Sequence, residues 1–174
     1  FYVDDIPQHR PPLAIPDFVW TESRAIWNEA DAVTDRQFHN INPHGDIDHE
    51  LLTGLLNSRL VWLAREIEGR HAGGQGMTRN RMVLYEAEQL PLPDPRDLTD
   101  EEKSRIKSAL NDLIEREAEL EERDEDDEFD PLTEKEEQRD ALDRAVLAVI
   151  EMEDRLDELK QAVEALVDMR REGS

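Results

Sequence analysis

The sequence predicts an α+β protein, with a small antiparallel strand region packed on a long helix and then a mainly helical C-terminal extension. Three observations predict it. Pro11, Pro12 and Pro16 exclude helix near the start, where short apolar runs alternate with turn residues. Leucines then recur at helical spacing from Leu51 to Leu63. Composition changes near residue 96. Residues 1–96 hold 15 acidic and 9 basic residues and all three tryptophans; residues 97–174 hold 29 and 12 and read as almost wholly helical. Two parts are therefore expected, 1–96 and 97–174.

Within the first part, Leu13-Ala-Ile15, Phe18-Val-Trp20, Arg24–Trp27, Ala32-Val33 and Phe38–Ile41 are strand signals separated by turns. One helix is predicted over about Asp48–Glu68, with Asp46 or Asp48 as its cap and Gly69 as its terminator. Its apolar face is Leu51, Leu52, Leu55, Leu56, Leu60, Leu63 and Ile67. A glycine-rich loop at 71–76, a strand over Arg79–Leu84, a helical turn near Glu86–Gln89 and an extended Leu90–Pro93 follow.

Thr99 and Glu102 open the second part as a capping box, and Thr133 with Glu136 repeats the pattern. The first helix carries Ile106, Leu110, Leu113 and Leu120; the next carries Leu142, Val146, Val149 and Ile150. An acidic loop, Arg123–Asp130, joins them. Asp154 is the expected cap of a last helix, whose Leu156, Leu159, Val163 and Leu166 follow 3-4-3 spacing, a pattern suited to helix pairing.

Net charge is −23, from 44 Asp+Glu against 21 Lys+Arg. Only Lys103, Lys107, Lys135 and Lys160 are lysines. Acidic disorder and halophilic adaptation both fit such a charge. Apolar periodicity persists through the acidic half and lysine is scarce, so adaptation to a salt-rich cytoplasm is the expectation. Molar salt screens the repulsion between carboxylates within about 3 Å. The absence of cysteine excludes disulfides and thiolate metal sites and fits an intracellular protein. No apolar run reaches the roughly 18 residues of a membrane span. The chain opens on Phe1, which reads as an excised piece of a longer protein.

The motifs of a self-contained enzyme are missing. No Gly-rich turn after a strand, Asn-Pro-Pro-aromatic tetrad, Gly-x-Ser-x-Gly elbow or Walker loop is present; Asn42-Pro43-His44 is only an echo of the tetrad. His44–Glu50 gathers oxygen and imidazole groups, but its spacing matches neither a zinc helix nor a calcium loop, and a turn with a helix cap is the simpler reading. The loop Gly73-Gly74-Gln75-Gly76 is flanked by Arg59, Arg65, Arg70, Arg79 and Arg81. Such a group can contact phosphates, and an arginine can read guanine; a mobile loop with ordinary surface arginines is the alternative. Trp20, Trp27 and Trp62 lie in apolar runs and read as core more readily than as stacking platforms.

Leu51-Leu-Thr-Gly-Leu-Leu-Asn57-Ser58-Arg-Leu-Val-Trp62, Gly69-Arg70, Gly73-Gly74 and Leu90-Pro-Leu-Pro93 occur in that order. This order resembles the region C-terminal to the catalytic domain in adenine-specific DNA methyltransferases of restriction-modification systems. Arg10-Pro-Pro, Trp27-Asn-Glu-Ala30 and Arg139–Val146 extend the likeness. The resemblance implies a non-catalytic part that holds and reads double-stranded DNA. An upstream domain of the same chain would bind S-adenosylmethionine and methylate adenine N6 on a flipped base. It places Asn57, Ser58, Arg70, Gly73 and Gly74 near the DNA. With Arg59, Arg79 and Arg81 they form the candidate DNA-binding set; no catalytic, cofactor-binding or metal residue is assigned. Self-association through the C-terminal helices is the alternative role.

Overall fold

The computed structural model describes residues 9–19, 22–72, 79–122 and 130–172. The architecture is α+β, as expected, and contains two three-stranded antiparallel sheets. In the first, β1 (Leu13–Pro16) lies between β3 (Ile26–Trp27) and β4 (Phe38–Ile41), in register Leu13↔Trp27 and Leu13↔Ile41. In the second, β6 (Arg79–Arg81) lies between β2 (Phe18–Val19) and β5 (Arg70–Ala72). Asp17 is where the chain crosses between sheets. Its N–H donates to Gln37 O at 2.7 Å, and its C=O accepts from Met82 N at 3.0 Å. Ala32-Val33 forms no strand; only an isolated His9↔Thr34 bridge lies beside it.

The single helix expected over Asp48–Glu68 is two: α1 (His49–Leu56) and α2 (Arg59–Glu68). At the break, Asn57-Ser58, the Asn57 side chain is bonded to the backbone of Ala25, the residue before β3. Its Oδ1 accepts from Ala25 N at 3.1 Å and its Nδ2 donates to Ala25 O at 3.0 Å. Asp48 caps α1 by accepting from Leu51 N. Gly69 ends α2 in an extended conformation, not a left-handed one. Glycine is needed there for space: a Cβ would lie 1.8 Å from Asn80 Oδ1 and 2.5 Å from Arg65 O. Arg79–Leu84 is strand only as far as Arg81, and α3 (Leu84–Ala87) follows.

The Thr99–Glu102 capping box opens α4 (Asp100–Glu121) in both directions, Thr99 N to Glu102 Oε2 at 2.7 Å and Glu102 N to Thr99 Oγ1 at 3.3 Å. The second box does not form. Asp130 caps α5 (Pro131–Glu134) instead, and Thr133 donates back to Asp130. The chain breaks at Lys135, which turns inward, before α6 (Glu136–Val149). Residues 123–129 of the expected acidic loop lie outside the described residues. A 3-10 turn at Glu153–Arg155 leads into α7 (Leu156–Glu172), so Asp154 sits within that turn. The buried stripe of α7 is Leu156, Leu159, Val163 and Val167; Leu166 is only partly buried.

The charge boundary near residue 96 is not a packing boundary. Leu51 and Leu55 of α1 share a core with Ile106, Leu110 and Leu113 of α4 and Leu142 and Val146 of α6. Gly54 lets α1 and α4 approach closely, since a Cβ there would lie 2.7 Å from Ile106 Cγ2. Trp62 of α2 packs in a second core with Leu147 and the α7 stripe, so that stripe is covered within the chain. Leu13 and Ile15 of β1 pack on Leu52 and Leu56 of α1 with Met82, which is the sheet-on-helix contact the sequence predicts.

Among the described residues, ion pairs also cross the boundary. Glu22 meets Lys135 (2.7 Å) and Arg139 (2.8 Å). Lys107 meets Asp48 (2.8 Å) and Glu50 (2.7 Å). Arg59 meets Asp140 (2.8 Å), Asp143 (2.7 Å) and Glu136. Glu66 takes Arg170 in two parallel bonds of 3.0 and 3.1 Å. Burial alone would raise the Glu22 carboxyl, but Arg139 and Lys135 outweigh it and hold its pKa below the ordinary value. Asp143 goes the other way: burial dominates and pushes it up despite Arg59 and Arg139. No helix among the described residues is long and apolar enough to cross a membrane.

Candidate nucleic-acid interface

The second sheet has one buried face and one exposed face. Side chains alternate along a strand, and residues paired across an antiparallel ladder share a face. Val19 and Asn80 are paired and buried. Phe18, Arg81 and Arg70 are paired across all three strands and share the other face, with Arg79 beside them. Asn80 anchors the buried side, donating to Arg65 O at 2.9 Å and to Glu66 Oε2 at 3.3 Å. Arg65 beneath it donates to Ser23 Oγ at 3.1 Å and Pro16 O at 2.7 Å. Burial pulls the Arg65 guanidinium down to about 10, with Glu66 and Asp17 opposing. The sheet is thus fixed from below by groups that contribute nothing to its outer face.

That outer face opens on a groove of about 710 Å³, lined among the described residues by Arg24, Arg36, Arg79 and Arg81, with Phe18 and Phe38 and the two carboxylates Asp17 and Glu22. The Arg79 guanidinium stacks over the Phe18 ring at 4.1 Å from its centroid, and Arg81 stands 5.5 Å from the same ring. Arg81 Nε donates to Asp17 Oδ2 at 3.1 Å. Arg24 meets Glu22 at 3.0 Å and Glu117 at 3.4 Å; burial works against its charge, but these two carboxylates outweigh it and raise its pKa. Both carboxylates in the groove are largely engaged with the fold. Asp17 also faces His39 at 3.5 Å, and Glu22 is buried against Lys135 and Arg139. What remains toward solvent is cationic and aromatic, in a chain of net charge −23.

The sequence-predicted set divides. Arg70, Arg79 and Arg81 come together on the sheet face; Arg70 also holds Glu86 at 3.0 Å, the main reason its pKa is raised, and reaches the Tyr85 hydroxyl. Gly73 and Gly74 belong to the 73–78 connection between β5 and β6, outside the described residues. Asn57, Ser58 and Arg59 lie inside the fold, 9%, 2% and 6% exposed. Ser58 donates to Leu55 O at 2.9 Å, and Arg59 N–H meets Asp143 Oδ1 at 2.6 Å. These three join the strand region, α1 and α6. Sequence reasoning missed Arg24, Arg36, Phe18 and Asp17. Only the strand pairings bring them to the arginines of β6.

The acidic segment His44–Glu50 resolves as a turn and cap, with Gly45 at φ 79° and Lys107 bridging Asp48 and Glu50. Among the described residues no group of three His, Asp or Glu is placed to hold a metal. Trp62 is core, its indole N–H donating to Glu66 at 3.0 Å; Trp20 lies outside the described residues. No protein-family model, curated protein or solved structure matches the chain.

Proposed function

We propose that this chain is the DNA-recognition and DNA-clamping part of an S-adenosylmethionine-dependent adenine-N6 DNA methyltransferase from a restriction-modification system, working in a salt-rich cytoplasm. One observation carries the DNA part: the convergence of four arginines and Phe18 on one groove of a strongly acidic protein. A groove that gathers scarce cations focuses an attractive field for phosphates while the rest of the surface repels them. A narrow β-ribbon also fits the major groove, where strands can read base edges. The methyltransferase part rests on the ordered motifs from Leu51 to Pro93.

The chain's own residues do not fit the cofactor. Its glycine-rich segment, Gly73–Gly76, joins the antiparallel strands β5 and β6 and not a strand and a helix, and the sequence holds no Asn-Pro-Pro-aromatic tetrad. Its contribution is therefore to bind and orient DNA, not to transfer the methyl group. In the enzyme that carries this chain, Arg36→Gln with Arg79→Gln should raise KM for duplex DNA about tenfold and leave kcat within about threefold, as expected when binding common to ground and transition states is removed. Unchanged KM refutes the clamping role. Absence of any adenine methylation by that enzyme refutes the enzyme class.

The α7 stripe motivates self-association in the sequence, but Trp62 and Leu147 cover it here. DNA binding is therefore the better supported role.

A further inference from the structure

We infer that Arg81 is the base-reading residue of this groove, held in place by Asp17, and that the base it reads is guanine. The inference rests on the proposed DNA-binding role and adds to it a division of labour among the arginines. Asp17 is 6% exposed and fixed by its backbone to both sheets, through Gln37 O and Met82 N. Its carboxylate takes the Nε–H of Arg81 at 3.1 and 3.4 Å to its two oxygens. The Arg81 side chain nevertheless stays 50% exposed on the groove. A carboxylate on the Nε edge sets the plane of the guanidinium and leaves the two terminal nitrogens as a forked donor pair. Guanine presents two acceptors, O6 and N7, on its major-groove edge, and an arginine fork matches them bidentately. A side chain set in one orientation loses less freedom on binding than a mobile one.

The other groove arginines are held differently. Arg79 lies over Phe18, and Arg24 is bound to Glu22 and Glu117. Arg36 is exposed and also lines the groove. These positions suit the sequence-independent phosphate contacts that set register. Asn80, buried between Arg79 and Arg81 in β6, keeps both on the outer face.

The test is selection of binding sites from a randomised duplex pool by the 174-residue chain, followed by affinity measurements on the selected duplex and on its 7-deazaguanine version. The intact chain should enrich guanine at one position, and removing that N7 should weaken binding about tenfold or more. Arg81→Lys keeps the charge but loses the fork, and should abolish both effects. Asp17→Ala should weaken the guanine preference in the same way, with Arg81 still present. Guanine preference surviving in Arg81→Lys overturns the inference. So does duplex binding by the intact chain without any base preference, a result that leaves the clamping role standing. Failure of the intact chain to bind any duplex overturns both.

Discussion

Arginines do opposite work in the helices and in the second sheet. Arg59, Arg65, Arg139 and Arg170 are buried, and Arg59, Arg139 and Arg170 tie the strand-rich first part to the acidic helical part through carboxylates. Arg36, Arg79 and Arg81 stand on the groove, where the sheet is already fixed by Val19 and Asn80 on its other face. The difference teaches that cations in this acidic chain are divided between joining the fold and furnishing a surface. Removing the first kind should unfold the protein; removing the second should leave it folded and change what it binds.

The sharpest way to break that comparison is Glu22→Gln. It leaves Lys135 and Arg139 buried beside a neutral amide, and removing one partner of a buried pair costs about 3–5 kcal/mol. Urea unfolding should show it. The same pair carries a pH signature. Glu22 has a folded pKa below its ordinary 4.5, so its contribution is complete above about that pH and is lost as pH falls through the folded value. The acid-induced loss of stability should therefore shrink in Glu22→Gln. A midpoint and pH profile equal to those of the parent would show that the inter-part pairs do not hold the fold.

Next in size is Gly69→Ala. Its Cβ would meet both the Asn80 side chain and a backbone carbonyl, so the α2–β5 junction must shift. A loss of about 1–3 kcal/mol is expected, by the same overpacking physics as in a filled core. Thr99→Ala should cost about 1 kcal/mol by removing the α4 cap. At the small end, Glu151→Gly should stabilise by about 0.5–1 kcal/mol. Glu151 adopts φ 57° at the end of α6, where Met152 N donates to Leu147 O and Glu151 N to Ala148 O.

How much of this was legible in the sequence depended on distance along the chain. The Thr99–Glu102 box, the Asp48 cap and the apolar face of α1 are local, and local spacing predicts them. The break between α1 and α2 was not legible, because it goes with Asn57 meeting the backbone of Ala25, 32 residues earlier in the chain. Choosing Val167 over Leu166 required knowing where α2 crosses α7; both residues are apolar and either extends a helical stripe. The Schellman-type end of α6 escaped because a glutamate occupies the position where glycine is the usual signal. At the candidate site, Arg79 and Arg81 stood out by their proximity to the glycine loop. Arg24, Arg36, Phe18 and Asp17 joined them only through sheet pairing.

The measurement that tests the central claim most directly is duplex DNA binding by the isolated chain over a salt series, compared with the Arg36→Gln/Arg79→Gln variant. Each phosphate contact contributes about 0.9 to the log–log salt slope. The intact chain should bind with a slope of about −2 to −4. The variant should lose at least tenfold in affinity and most of that slope, with thermal unfolding within about 4 °C of the parent, since no buried pair between the two parts is touched. Equal binding by the two chains, or a variant that fails to fold, would contradict the separation of joining arginines from groove arginines.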